Sequence, residues 1–301
     1  MTRGSPSLLP TRDPLSHKGY FGTVAIVGGC HRSHRTMLGA PLLAGRGALR
    51  SGVGRCTLFI PEPLVVSALS AMPSATAVGF SGFAPTELTH DRPTIDAAVI
   101  GPGLGEDKKG WRDAYTLIKR CRLPMVIDAD GLNALAKGIK TMTRPKDLSK
   151  AVLTPHSGEF RTLAKAVGLN ADPDNPATRK PAAYELAQRL RTVVVLKGAN
   201  TVVSDGSDVW QCTCERPVLA TAGTGDVLAG VIGGLLAQRA ADPAQWNIAA
   251  MDIACIAVEA HASAAEVWQK RNRAEAGMLA EELADLIPEQ LRPLTQSDGS
   301  A

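Results

Sequence analysis

Aromatic residues are scarce, with 4 Trp, 3 Tyr and 5 Phe in 301 residues. Proteins that bind single-stranded nucleic acid stack bases on aromatic rings, so that class of partner is disfavoured. An excess of one charge is also lacking. Thirty-three Lys and Arg stand against 29 Asp and Glu, a formal net charge of +4. This is too mild for a dedicated nucleic-acid binder but compatible with a polyanionic small molecule. No apolar run reaches the roughly 18 uninterrupted residues of a membrane span. The opening MTRGSPSLLPTRDPLSH has no apolar stretch of the kind a secretory signal needs. The six cysteines, at 30, 56, 121, 212, 214 and 255, are scattered through a chain large enough to fold without staples. We therefore expect reduced thiols in a cytoplasmic protein. Cys212 and Cys214 flank one residue and would share a strand face, yet no further zinc ligand follows at suitable spacing.

What is abundant is glycine, 29 residues, many beside β-branched runs where backbone must approach something closely. Hydrophobic content of 45% with 21% charged residues describes a globular chain. Apolar β-branched runs alternate with helix-like segments, the mark of a mostly parallel sheet covered by helices. Strands are expected at 24–27, 56–60, 97–100, 125–127, 151–153 and 193–196, with an edge hairpin at 201–204 and 209–212. Helices are expected at 36–51, 108–121, 131–137, 158–167, 182–191, 226–238, 245–268 and 277–286. The simplest organisation is one α/β domain over 17–290, with flexible tails at 1–16 and 291–301. The Pro- and Asp-rich stretch 170–181 reads as a loop inside it.

In open α/β sheets, ligands bind beyond the carboxyl ends of the strands. After these strands come Gly28-Gly29-Cys30, GPGLG (101–105), Asp128-Ala129-Asp130, TPHSGE (154–159) and LKGANT (196–201). Five strand ends carrying glycines, carboxylates, a histidine and a lysine point to one active-site rim.

Ala222-Gly223-Thr224-Gly225-Asp226 runs straight into an apolar helix. Gly223, Thr224 and Gly225 would aim backbone N–H groups at a phosphoryl group, forming an anion hole aided by the helix dipole. Asp226 at its mouth would take a proton from a substrate hydroxyl. An N-capping Asp after a flexible turn fits the same letters. Lys197 would meet phosphate or ribose oxygens, or else be a solvated turn lysine. His156 would bond a ligand amide and Glu159 would hold a magnesium-bound water, or the two would merely open a helix. One of Asp128 and Asp130 faces the site while the other caps a helix. The run 30–38, with His31, Arg32, His34 and Arg35, is either a solvated basic loop or a contact for a pyrophosphate. Glycines 230, 233 and 234 imply a tightly packed helix. Neither GxxxxGK[ST] nor GxGxxG is present.

Together these residues resemble the ADP/ATP-dependent (S)-NAD(P)H-hydrate dehydratases, carbohydrate-kinase-like members of the ribokinase-like superfamily. The matching pieces, in family order, are HKGYFGTVAIVGG (17–29), GAPLLAGRGALRSGVG (39–54), GPGLG, VIDADGLNAL (126–135), LTPHSGEF (153–160), VVLKGANTVV (194–203) and LATAGTGDVLAG (219–230), with GMLAEELADLIP (277–288) near the end. GTGD is shared with other ribokinase-like kinases, whereas the combination is specific.

The resemblance implies a three-layer ribokinase-like fold and repair of NADHX or NADPHX. Phosphoryl transfer from ADP or ATP to the C6 hydroxyl, then loss of phosphate, would return NAD(P)H. It implies nucleotide contacts from Lys197, Gly198, Ala199, Asn200, Thr201 and Gly225, and hydrated-cofactor contacts from Ala40, Gly103, His156 and Asp226. Magnesium is implied with its ligands open, Glu159 being the candidate. A separate NAD(P)HX epimerase as functional partner is also implied, since the roughly 20 residues before the first strand are too few for an epimerase domain, and so is a homo-oligomeric state, for which the apolar C-terminal helices would be either interface or core. Two features depart from the family pattern: the longer run CHRSHRTML before Gly39-Ala40, and ERPVLA without a Gly-Asn before its Pro. The alternatives are a hydroxyethylthiazole-kinase-like enzyme and a non-catalytic nucleotide-binding protein on the same fold.

Overall fold

Short β-branched runs and longer Ala- and Leu-rich segments alternate along the chain, and they fold as that alternation requires. A computed structural model describes residues 9–80, 95–105, 108–139 and 148–294. In chain order the strands are β1 (Thr23–Val27), β2 (Cys30–His31), β3 (Thr36–Met37), β4 (Arg55–Pro61), β5 (Thr76–Phe80), β6 (Ala97–Ile100), β7 (Met125–Ile127), β8 (Ala151–Leu153), β9 (Val193–Leu196), β10 (Val202–Ser204) and β11 (Val209–Gln211). The helices are α1 (Gly39–Arg50), α2 (Val65–Ala71), α3 (Lys108–Arg120), α4 (Asp130–Ile139), α5 (Ser157–Ala166), α6 (Pro176–Leu190), α7 (Thr224–Ala241), α8 (Ala250–Asn272) and α9 (Ala280–Leu291).

One sheet runs β11-β10-β9-β8-β7-β6-β1-β4-β5, while β2 and β3 pair separately. Every pairing from β9 to β5 is parallel; β10 and β11 add antiparallel at one edge. Alternation of side chains sorts the core. Val24, Ile26, Leu58 and Val99 face a layer containing α1, α7, α8 and α9. Ala25, Val27, Ile100 and Ile127 face α3, α4, α5 and α6. Each fully buried Val, Leu or Ile contributes about 1.5–3 kcal/mol, so this three-layer burial dominates stability. Because β1 lies between β4 and β6, the strand order reverses there, and Gly28-Gly29 lie at the switch point where such sheets bind ligands.

The close packing expected of α7 is present. Its buried residues run almost unbroken from Thr224 to Gln238. A Cβ at Gly230 would strike the Ala44 carbonyl, and one at Gly47 of α1 would strike that of Val227, so the two backbones touch through glycine.

Three expectations need correction. The stretch 170–181 is a loop only as far as Asn175. Asn175 Oδ1 accepts the Ala177 N–H at 2.9 Å and Pro176 opens α6, so an N-cap followed by Pro began a helix where Pro density suggested none. Helix α1, expected from residue 36, starts at Gly39, because Thr36 and Met37 form β3 and pair with β2. The edge strand β5 and helix α2 were not anticipated, being short and only partly buried. Residues 1–8 and 295–301 of the two expected tails lie outside the described residues. Leu9 is buried and donates its N–H to the Leu294 carbonyl at 2.7 Å.

Candidate active site

The loops after the strands continue the sheet's hydrogen bonding beyond its edge. Gly29 N–H donates to the Pro102 carbonyl at 2.9 Å, Gly101 to Val27 at 3.0 Å and Asp128 to Ile100 at 3.1 Å. Thr154 N–H donates to Ile127 at 3.2 Å and Lys197 to Pro155 at 2.8 Å. The five strand-end motifs are thereby one continuous rim. Gly101 (φ +132°) must be glycine: a Cβ there would collide with the Asp128 carbonyl. Ala40, at the start of α1, lies against Gly103, whose added Cβ would sit 3.3 Å from the Ala40 Cβ. Farther along α1, Leu43 Cδ1 lies 2.5 Å from where a Cβ on Gly223 would be. That contact closes the circuit onto the start of α7.

Lys197 is the centre of the charge cluster. Its Nζ lies 2.7 Å from Asp128 Oδ1 and 3.9 Å from Glu159 Oε2, and a Cβ on Gly225 would be 3.3 Å from it. Burial disfavours its charge, but the carboxylates of Asp128 and Glu159 more than offset this and hold its pKa above the ordinary lysine value. Asp128, only 1% exposed, also accepts the Thr154 hydroxyl at 2.7 Å. Burial, reinforced by Asp128, pushes Asp226 up to about 7 against the pull of Lys197. Glu159 is likewise raised to about 7, chiefly by burial. A carboxyl poised near neutrality is what a general base requires.

The expected anion hole falls on the first turn of α7. Its N-cap is Gly223 in the left-handed region (φ +92°), and no side chain caps the helix. The N-capping alternative for Asp226 is therefore not realised. The Thr224 N–H donates to the Thr221 carbonyl at 3.4 Å, while the Gly225 and Asp226 N–H groups have no intrahelical partner and lie at the positive end of α7. The Thr224 hydroxyl instead turns inward, donating to the Leu219 and Thr221 carbonyls at 2.9 Å. Below it, His261 Nε2 is 2.9 Å from the Thr224 carbonyl, so this nitrogen carries the proton. Burial drives the His261 pKa down to about 4 and keeps the ring neutral.

His156 caps α5. Its Nδ1 accepts the N–H groups of Gly158 at 2.9 Å and Glu159 at 3.3 Å, while Glu159 Oε2 accepts the His156 N–H at 2.8 Å. With Nδ1 occupied as an acceptor, the proton sits on Nε2, on a ring that is largely exposed. Burial and the Lys197 charge lower its pKa, favouring the neutral donor form. The helix-opening role weighed for TPHSGE is thus filled, and Nε2–H lies 3.4 Å from Glu159 Oε1.

The contacts join Ala40, Gly103, Gly223, Gly225, Lys197, Glu159 and His156 around this rim. Asn200 and Thr201 lie on its shoulder. Asn200, at φ +55°, donates its N–H to the Cys214 carbonyl and its amide to Glu215. Thr201 Oγ1 returns to Gly198, and Gly198 and Ala199 are exposed. Asp128 is the DADG residue that faces the site, while Asp130 accepts the Gly105 N–H at 2.8 Å. The basic run forms the β2–β3 hairpin. Its root, Met37, packs at Gly103, and Arg32 and Arg35 are exposed at its tip.

Two supporting residues escaped sequence reasoning. Arg179 of α6 donates Nη2 to the Leu196 and Lys197 carbonyls at 3.0 and 2.7 Å, clamping the lysine loop from beneath. Nothing in its helix signalled that. His261 was at least visible as a lone histidine in an apolar helix.

The family model described as NAD(P)H-hydrate dehydratase matches residues 24–289. The ADP-dependent (S)-NAD(P)H-hydrate dehydratase of Bacillus subtilis is 36% identical over 93% of this chain and 92% of its own length. A bifunctional NAD(P)H-hydrate repair enzyme of Salinibacter ruber is 35% identical, and the chain spans 50% of that relative's length. The structure of the ADP/ATP-dependent dehydratase of B. subtilis, co-crystallised with ATP and Mg²⁺, superposes with a TM-score of 0.75 at 30% identity, covering 95% of each chain.

Proposed function

The chain belongs to the NAD(P)H-hydrate dehydratase family, and from that membership we propose that it returns the S epimers of NADHX and NADPHX to NADH and NADPH at the expense of ADP, with ATP as the alternative donor. Hydroxide is a poor leaving group, and phosphorylation of the C6 hydroxyl removes that obstacle. Asp226 takes the hydroxyl proton, and the oxygen attacks the terminal phosphoryl group of the donor. The amides of the first turn of α7 hold the phosphoryl oxygens as AMP leaves. The ring nitrogen lone pair then expels phosphate from C6, leaving an iminium ion, and loss of a proton from C5 to solvent restores the C5=C6 double bond of NAD(P)H. Lys197 stands beside the transferring group, and the His156 Nε2–H, 3.4 Å from Glu159 Oε1, would turn to the nicotinamide amide.

The observation carrying this reading is the start of α7. An uncapped helix N-terminus with glycine at its cap adjoins a carboxyl raised to about 7 and a buried lysine.

Magnesium accompanies nucleotide phosphates. Among the described residues no group of three His, Cys, Asp or Glu is arranged to hold a metal ion. Magnesium is ordinarily held by one or two carboxylates plus phosphate oxygens and water, and Asp128 and Glu159 suit that mode. When bound, it would neutralise phosphate charge.

We place the enzyme in the cytoplasm, in a homo-oligomer, working with a separate NAD(P)HX epimerase. The free thiols suit a reducing compartment. Among the described residues no helix is long and apolar enough to cross a membrane. The bifunctional relatives suggest the epimerase partnership.

The test is incubation with ADP, Mg²⁺ and NADHX while following the near-ultraviolet absorbance of NADH. Recovery of NADH with one AMP and one phosphate per turnover is expected. No recovery with either ADP or ATP would overturn the assignment, and accumulation of a phosphorylated product would point to the kinase alternative.

A further inference from the structure

The pair Cys212 and Cys214 has no part in the chemistry above, yet it lies on the segment joining both halves of the nucleotide site. This segment leads from β11 to the α7 anion hole. It is bound to the lysine loop by two backbone hydrogen bonds that continue the β10–β11 pairing. Cys212 N–H donates to the Thr201 carbonyl at 3.0 Å, and Asn200 N–H donates to the Cys214 carbonyl at 3.1 Å. Asn200 Nδ2 also donates to Glu215 at 2.6 Å, and Arg216 pairs with Glu266 at 2.9 Å.

Two residues apart on this extended, paired segment, the Cys212 and Cys214 side chains share one face. Cys212 is buried, whereas Cys214 is partly exposed beside the Arg216 guanidinium. The neighbouring Cys212 thiol and the charge of Arg216 outweigh burial and lower the Cys214 pKa, while the Cys212 thiol is pushed up. Cys214 is therefore the more acidic and more accessible of two same-face thiols and Cys212 the buried one, the complement needed for oxidation and resolution.

We propose that Cys212 and Cys214 form an oxidisable dithiol that hydrogen peroxide closes to an intrachain disulfide, and that closure weakens nucleotide binding. The Cys214 thiolate attacks one peroxide oxygen, the O–O bond breaks, and hydroxide departs, leaving a sulfenic acid. The Cys212 sulfur then attacks the Cys214 sulfur. The S–S bond forms, the S–O bond breaks, and the oxygen leaves as water with the Cys212 proton. Overall, two thiols lose two electrons and two protons, and one peroxide becomes two waters.

Closure must bend the backbone. Residues two apart in an extended chain lie about 6.6 Å apart, and disulfides favour Cα separations of about 5.5–6 Å. Drawing Cys212 and Cys214 together strains the bonds to Asn200 and Thr201 and shifts the lysine loop relative to the anion hole. The effect on binding rests on the nucleotide placement proposed above; the thiol chemistry does not.

Peroxide titration of the full-length protein tests this with two readouts. Peptide mass mapping should find a Cys212–Cys214 bridge. ADP affinity, measured by calorimetry before and after, should fall roughly tenfold and recover with dithiothreitol. Cys212→Ser should stop at a sulfenic acid on Cys214, trapped by dimedone. Cys214→Ser should bind ADP as the wild type does and be indifferent to peroxide. A bridge to Cys255 instead, a Cys214 that resists peroxide, or a bridge that leaves ADP affinity unchanged would each overturn the proposal. Failure of the reduced protein to bind ADP would count against the nucleotide site instead, and the mapped bridge would still report on the thiols.

Discussion

Replacing Asp226 by Asn separates the carboxyl's chemistry from its cost. A carboxyl carried from an ordinary 3.8 to about 7 is disfavoured in its ionised form by roughly 4 kcal/mol. Because Asp226 borders a site open to water, about half of that, ~2 kcal/mol, is a fair expectation. The folded-state pKa is raised, so the native protein holds a proton that the unfolded chain releases between pH 4 and about 7. The penalty is absent below pH 4, grows across that window and is complete above it. Without nucleotide, Asp226→Asn should therefore melt about 4 °C higher than wild type at pH 8 and at the same temperature near pH 4. Turnover should fall about 10²–10⁴-fold for want of a general base. ADP binding should persist or tighten, since a negative charge has left an anion site. Calorimetric melts at the two pH values, with single-turnover assays, make the measurement. A variant that is no more stable at pH 8, or that turns over like wild type, would show that Asp226 is neither strained nor the base.

Lys197→Met leaves buried Asp128 without its cation, so urea denaturation should show a loss of about 3–5 kcal/mol; a loss below ~1 kcal/mol would mean the pair is solvated. Gly225→Ala, outside the left-handed region, should fold normally, but its methyl enters the space beside Lys197 Nζ, raising the ADP KM about tenfold or more. Unchanged ADP kinetics would move the phosphoryl group elsewhere. Gly230→Ala drives a Cβ into the Ala44 carbonyl and should cost roughly 2–4 kcal/mol, seen as a lower melting temperature.

Much of the architecture could be read along the chain because its signals are local. Runs such as Val193–Leu196 are short, β-branched and buried, and the sequence places these strands to within a residue or two. Helix starts were harder. At α6 the Asn175-Pro176 start signal competed with turn residues on both sides, and at α1 two residues of β3 paired with Cys30-His31, an interaction outside any local window. Candidate site residues were readable for a different reason. Strand-end loops in a parallel sheet converge, so Gly103, His156 and Lys197 could be assigned to one rim before their distances were known.

Residue order was enough to set the βα alternation, the glycines that the backbone demands and the cast of charged groups on the rim. It could not say which carboxylate Lys197 meets 69 residues away, that His261 supports Thr224 from a helix 37 residues on, or that Arg179 clamps the lysine loop. Nor could it say that Asp226 titrates near 7. Propensity and periodicity act between neighbours in the chain. The energy of a charge depends on its distance to other charges and on the water excluded around it, and both come into being only when the layers pack.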